Sequence, residues 1–155
     1  MHGNFVRADG LILPNNISRA GARSLLNRAF RPTPETAVWY IGLCTGAPSP
    51  TMVQSDINEP NIGVNGYTRQ NCDAEASWPD EGESGGQRYI QTKWFTFEAV
   101  GGGFSKPIQR AFITNGTAYA AGDPVFAMSA PLPTEMSIIE STPEEQRTFR
   151  YQLFL

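Results

Sequence analysis

Apolar positions along this chain follow two different periods. Between Ile17 and Phe30, Ala22, Leu25, Leu26 and Ala29 recur at helical spacing, which predicts one helix over residues 17–30. Asn15 or Asn16 is placed to cap it, because an Asx side chain accepts a bond from an orphan backbone N–H. Pro32 and Pro34 stop it. Before the helix, Phe5, Val6, Leu11, Ile12 and Leu13 are apolar, but Gly10 and Pro14 interrupt them, so residues 1–16 are expected to form an extended arm. After the helix the pattern turns β-branched and aromatic. Strands are expected over 38–45, 66–72, 88–97, 108–114, 117–121, 125–130, 135–139 and 148–155. The pair 108–114 and 117–121 reads as a hairpin across Asn115-Gly116. Phe149, Tyr151 and Leu153 alternate at the C-terminus, which points to a strand paired inside a sheet.

The expected fold is therefore all-β, a β-sandwich or small β-barrel with one N-terminal helix. It forms a single domain over 17–155 behind the arm. Composition agrees: 15 glycines, 12 prolines and 11% aromatics describe a turn-rich β chain, and 155 residues suit one domain. Trp39, Trp94 and the nine phenylalanines are assigned to its core. No apolar run reaches the roughly 18 residues that span a bilayer, and no apolar leader follows Met1, so neither a membrane partner nor secretion is expected.

Charge changes the picture in one place. The net charge is −3, which argues against nucleic acid as a general partner. Yet residues 1–31 hold five arginines and only Asp9, a local +4 on a body of −7. Arg19 and Arg23 stand one turn apart on the helix flank with no acid near them in sequence. Either this segment meets an acidic partner, or it is a solvated arginine face.

Candidate chemistry is thin. Cys44 and Cys72 form no metal-type spacing, and two buried thiols are expected rather than a bridge. The only histidine, His2, falls in the terminal arm, a poor place for a nucleophile's base. Asp73, Glu75, Asp80, Glu81 and Glu83 crowd one stretch beside Trp78. Their spacing does not match a calcium loop, so a solvated acidic loop is preferred to a partner-facing patch, a metal site or a carboxylate pair for glycoside cleavage. Arg88-Tyr89 and Lys93-Trp94-Phe95 give only a faint version of an aromatic and basic nucleic-acid platform. No enzyme activity, cofactor or metal is expected.

One constellation is more specific. It runs through Leu25-Leu26-Asn27-Arg28-Ala29-Phe30, Trp39-Tyr40-Ile41-Gly42-Leu43-Cys44-Thr45-Gly46-Ala47-Pro48, Ser55-Asp56-Ile57-Asn58-Glu59-Pro60 and Gly66-Tyr67-Thr68-Arg69-Gln70. This resembles a family of tailed-bacteriophage virion structural proteins, described as capsid decoration (cement) proteins or tail-fibre proteins. Members show a small helix, a Tyr-x-Gly/Ala-Leu-x-Thr-x-x-Pro strand end, an acidic loop with Glu, and Gly-Tyr-x-Arg. The resemblance implies a non-enzymatic subunit, assembled in the host cytoplasm and placed on the capsid exterior. Its partner would be the major capsid protein, and it would self-associate as a dimer or trimer. A tail or tail-fibre attachment component is the alternative, and a carbohydrate-binding β-domain a more distant one.

The partner contact is expected at the arm and helix, through Phe5, Val6, Leu11, Ile12, Leu13, Arg19 and Arg23. Such an arm could lay a strand along a neighbour; the competing expectation is that it pairs within its own sheet.

Overall fold

The computed structural model describes residues 2–30, 38–72, 78, 80–133 and 140–154. Among them 39% are strand and 14% helix, so the fold is all-β with an N-terminal helix. The strands are β1 (His2–Arg7), β2 (Ile12–Ile17), β3 (Trp39–Cys44), β4 (Gln70–Asn71), β5 (Asp80–Ser84), β6 (Gln87–Gln91), β7 (Phe95–Thr96), β8 (Arg110–Asn115), β9 (Val125–Ser129) and β10 (Thr148–Phe154). The helices are α1 (Arg19–Phe30) and a single turn, α2 (Glu144–Arg147). All pairings are antiparallel, in the order β4-β3-β8-β9-β2-β1-β10-β6-β5, with β7 on β10. The sheet curls into a half-barrel.

Of the arm expected over 1–16, the described residues 2–16 are not separate from the sheet. β1 lies between β10 and β2, with Phe5 opposite Tyr151 on one side and Leu13 on the other. Phe5, Val6 and Leu13 are buried in the chain's own interior. The physical reason is backbone hydrogen bonding: six registered residues on β10 satisfy the β1 groups that a free arm would leave to water or a neighbour. His2, expected at a loose end, stacks on Phe154 at 4.6 Å between ring centroids.

β2 is the corner of the curl. Its first half pairs β1, and from Asn15 onward it pairs β9. Pro14 sits at the change, where a residue without an N–H costs least, and its carbonyl accepts the Ala130 N–H at 2.6 Å.

The main core fills the inside of the curl with Phe5, Trp39, Ile41, Tyr67, Phe97, Phe126, Phe149 and Tyr151 among others. A smaller cluster of Cys44, Met52, Ile57, Phe112, Val125 and Met128 forms on the opposite face of β3, β8 and β9, as strand alternation requires.

α1 packs against β9 with a face that shares only Leu25 with the periodic stripe; Leu25 is partly buried against the main core. Gly21 and Ser24 are its buried residues, whereas Ala22, Leu26 and Ala29 are exposed. The cause is close approach: a Cβ on Gly21 would lie 2.2 Å from the Phe126 carbonyl oxygen. The cap is Ser18, whose hydroxyl accepts the Gly21 N–H at 3.1 Å; Asn15 and Asn16 are in β2.

Three further expectations change. The strand after Asn115-Gly116 is β9, not 117–121. Of the acidic stretch, Asp80–Ser84 is strand β5, closed onto β6 by Gly85 and Gly86 at φ +60° and +78°. Asp73 and Glu75 lie outside the described residues, as does the strand expected over 135–139. Phe30 and Trp94, assigned to the core, are exposed by 80% and 42%.

Candidate functional site

Three of the four segments that carried the resemblance meet in space; the fourth, in α1, does not join them. Glu59 leaves the loop that follows Cys44, and Tyr67 and Arg69 precede β4 at i,i+2 spacing, which sets both on one side of an extended backbone. Both side chains reach the same carboxylate. Arg69 Nε donates to Glu59 Oε1 at 2.9 Å and Oε2 at 3.1 Å, and Nη2 donates to Oε2 at 2.6 Å. The Tyr67 hydroxyl donates to Oε1 at 2.7 Å. The pair is sealed, with the Arg69 side chain 0% and the Glu59 side chain 3% exposed.

The guanidinium then holds a second loop. Nη1 donates to the carbonyls of Gly116 and Ala118, both at 3.0 Å, and Nη2 donates to Gln54 Oε1 at 3.0 Å. Gln54 is itself buried. Its Oε1 also accepts the Ala120 N–H at 2.8 Å, and its Nε2 donates to Thr114 Oγ1 and the Asn115 carbonyl. Three separate stretches, around 54–59, 67–69 and 114–120, are thus tied through one arginine fork, a geometry that a lysine's point charge could not supply. Tyr67 has one more role. Its hydroxyl accepts the Leu43 N–H at 2.9 Å, so it satisfies a β3 group beyond the two residues paired with β4. Burial pushes the Tyr67 phenol well above its ordinary value, with the Glu59 charge adding to the effect.

Over this network lies an open cleft of about 570 Å³, edged by Ser55, Asn58, Asn61, Ile62, Lys106 and Tyr119. Asn58 holds the rim at φ +48°, with its Nδ2 donating to Thr45 Oγ1 at 2.6 Å. Glu59 borders the cleft, but both its oxygens already accept hydrogen bonds. The arrangement ties the loops together and leaves polar side chains along the cleft.

The residues expected at the partner contact are divided by the fold. Phe5, Val6 and Leu13 are interior. Leu11 is half-buried beside the main core, and Ile12 is 57% exposed on β2. Arg19 and Arg23 are exposed on α1. The contact set is therefore not one continuous surface. Glu59, Tyr67 and Arg69 enter the sequence reading only as parts of a pattern, and Gln54 does not enter it at all; the signal for the meeting of the first three is a Tyr-x-Arg pair following an acid in a chain with few charges.

Elsewhere, Cys44 and Cys72 are both buried and form no disulfide, and burial raises the Cys44 thiol to about 12. Among the described residues no group of three or more His, Cys, Asp or Glu side chains is placed to hold a metal ion. Lys93 and Trp94 lie apart in orientation: Lys93 Nζ sits over Phe95, whereas Trp94 carries the Arg150 guanidinium at 4.3 Å from its ring centroid. No helix among the described residues is long and apolar enough to cross a membrane. Comparison with protein-family models finds no match, and comparison with curated proteins finds none either.

Proposed function

We propose that this chain is a non-enzymatic structural subunit of a tailed-bacteriophage virion, a capsid decoration protein that clips neighbouring major capsid subunits from outside. One observation supports this reading: three of the four segments carrying the resemblance, with Leu43 at the strand end, Glu59 in the acidic loop, and Tyr67 and Arg69 in Gly-Tyr-x-Arg, converge on a single buried network. Scattered matches that meet around one carboxylate are a unit of architecture. The unit stiffens the loops around 54–59 and 116–120, which is what a clip requires. A subunit bound across a boundary adds its binding free energy to the cost of opening the shell, and a pre-ordered loop loses less entropy on binding. Self-association as a dimer or trimer belongs to the same reading, because such subunits sit on capsid symmetry axes.

The test is a copy count in purified virions by quantitative mass spectrometry. A capsid clip is present in hundreds of copies, and a tail component in about a dozen, following the symmetry of the structure each occupies. The lower count moves the protein to the tail, and its absence from particles refutes the virion reading.

A further inference from the structure

The cleft over the Arg69 network measures about 570 Å³, within the roughly 300–1,000 Å³ of sites that take small molecules. None of its lining residues stands in a strand, so it offers an occupant side chains rather than a sheet edge. Its walls are fixed before anything binds. Tyr119 stands between Ala118, whose carbonyl accepts from Arg69 Nη1 at 3.0 Å, and Ala120, whose N–H donates to Gln54 Oε1 at 2.8 Å. The Asn61 N–H donates to Ser105 Oγ at 2.8 Å, which ties the segment carrying Lys106 to the wall around Asn58 and Asn61. A site ordered in advance loses less entropy when a ligand arrives.

The rim keeps hydrogen-bonding capacity that the fold does not use. Tyr119 is 56% exposed on its held backbone. The Asn61 carboxamide, the Tyr119 hydroxyl and the Lys106 ammonium make no hydrogen bond or ion pair among the described residues. Asn58 spends Nδ2 on Thr45 Oγ1 and leaves Oδ1 open. Ser55 Oγ lies 3.5 Å from Asp56 Oδ1, at the limit of a hydrogen bond. Candidate occupants make different demands on such a set. A metal ion needs several free oxygen ligands, and the one carboxylate of the lining, Glu59, is held by Arg69 and Tyr67. A polyphosphate is best gripped by an arginine fork, and no arginine lines the cleft. A lipid chain needs an apolar bed, which the carboxamides, the hydroxyls and the ammonium interrupt. A sugar ring matches the whole set. Each of its hydroxyls donates and accepts, as a carboxamide does through its nitrogen and oxygen, and its C–H face suits the electron-rich face of an aromatic ring. With Glu59 neutralised by Arg69, Lys106 is the one uncompensated charge of the lining, and it is complementary to a carboxylate on the sugar.

We propose that this cleft binds an acidic saccharide, with a sugar ring on Tyr119, its hydroxyls on Ser55, Asn58 and Asn61, and its carboxylate on Lys106. Such a site is independent of the virion reading: it uses only groups that the buried network leaves unengaged.

The experiment reads the full chain on a glycan array of uronate-containing, sialylated and neutral oligosaccharides, then titrates the strongest acidic ligand and its neutral analogue by calorimetry. The variants are Tyr119→Ala and Lys106→Gln, with Leu26→Ser on α1 as the control. Tyr119 and Leu26 are exposed and Lys106 is half-buried at the rim, so melting should match the parent, and circular dichroism checks this. The expected result is a Kd of about 1 mM or tighter for the acidic ligand, at least tenfold tighter than for its neutral analogue. Tyr119→Ala should lose at least tenfold, Lys106→Gln should bring the acidic and neutral ligands level, and the control should bind as the parent does. If no saccharide binds, if the neutral analogue binds equally well, or if both variants bind as the parent does, the assignment is wrong. Co-sedimentation with undecorated capsids of its own phage separates the two readings. Tyr119→Ala and Lys106→Gln should leave capsid binding unchanged; if they abolish it, the cleft is a protein contact and the saccharide assignment is overturned. Absence of the parent from virions refutes the virion reading alone.

Discussion

Arg69→Met removes the guanidinium while keeping a long apolar stem in its place. In the parent, that fork makes three hydrogen bonds to Glu59, one to Gln54 and two to the carbonyls of Gly116 and Ala118. The variant leaves a carboxylate whose side chain is 3% exposed with Tyr67 as its remaining donor. Breaking one side of a buried ion pair costs about 3–5 kcal/mol, mostly from the charge left behind. For a domain of this size, where 1 kcal/mol moves the midpoint by roughly 2–4 °C, the expected fall in thermal midpoint is about 6–20 °C. Arg69→Lys should fall between, since an ammonium keeps the charge but not the fork.

The assay is a thermal melt with a denaturant titration, and the second readout is local. Tyr119 is exposed, in the loop whose carbonyl and N–H groups are held by Arg69 and Gln54. Chymotrypsin should cut after Tyr119 faster in Arg69→Met than in the parent, at a temperature where both remain folded. Pairing the change with Glu59→Leu should recover part of the loss, because no charge is then stranded, but not all of it, because Gln54 and two carbonyls still lack their donor. A midpoint for Arg69→Met within about 2 °C of the parent, less than the shift expected for 1 kcal/mol, together with an unchanged rate of cleavage, would refute the claim that this network holds the loops.

Deleting residues 1–13 should abolish cooperative unfolding, because β1 pairs on both sides; a sharp melt in the truncated chain would contradict the assigned register. Gly21→Val should lower stability by about 1–3 kcal/mol, as overpacking at a close contact does, and should alter the fluorescence of Trp39, whose Nε1 donates to Ser24 on the same helix face. Raising pH should destabilise the protein from about pH 9 upward, the region where unfolded thiols and phenols ionise. The sign follows from Cys44, Tyr67 and Tyr151, all raised by burial: the folded chain holds these protons after the unfolded chain has lost them, so stability is level at neutral pH and falls as pH rises. At pH 8, Cys44 and Cys72 should remain silent to a thiol reagent until denaturant is added.

Fold class was legible because local pattern decides it. β3, β8, β9 and β10 stand where β-branched and aromatic runs place them, and α1 begins two residues after its expected start. The failures have physical causes that no local window contains. The N-terminal residues read as a free arm because β10, which fixes them in the sheet beside their local partner β2, lies more than 140 positions away. Asn115-Gly116 does turn the chain, with Gly116 at φ +77°, but 117–121 does not return as a strand. Its backbone groups are bound by Arg69 and Gln54, and side chains far off in sequence replace the pairing that the turn had announced. Of the predicted helix stripe only Leu25 packs on the core, because hydrophobicity ranks Leu26 above Gly21 while distance of approach to β9 selects the reverse.

The site divides in the same way. Tyr67, Arg69 and Glu59 could be found as a pattern, but their chemistry could not be read before the fold enclosed them. Once enclosed, the carboxylate has acceptors occupied on both oxygens and the guanidinium has donors engaged on all three nitrogens, so neither group is left for a ligand. A network so fully satisfied does its work inside the chain, fixing where the 54–62 and 116–120 segments stand. By contrast, Arg19, Arg23, Leu26 and Phe30 are exposed on one face of α1, opposite the side on which Gly21 approaches β9, so distance of approach and not hydrophobicity alone decides which side of this helix is buried.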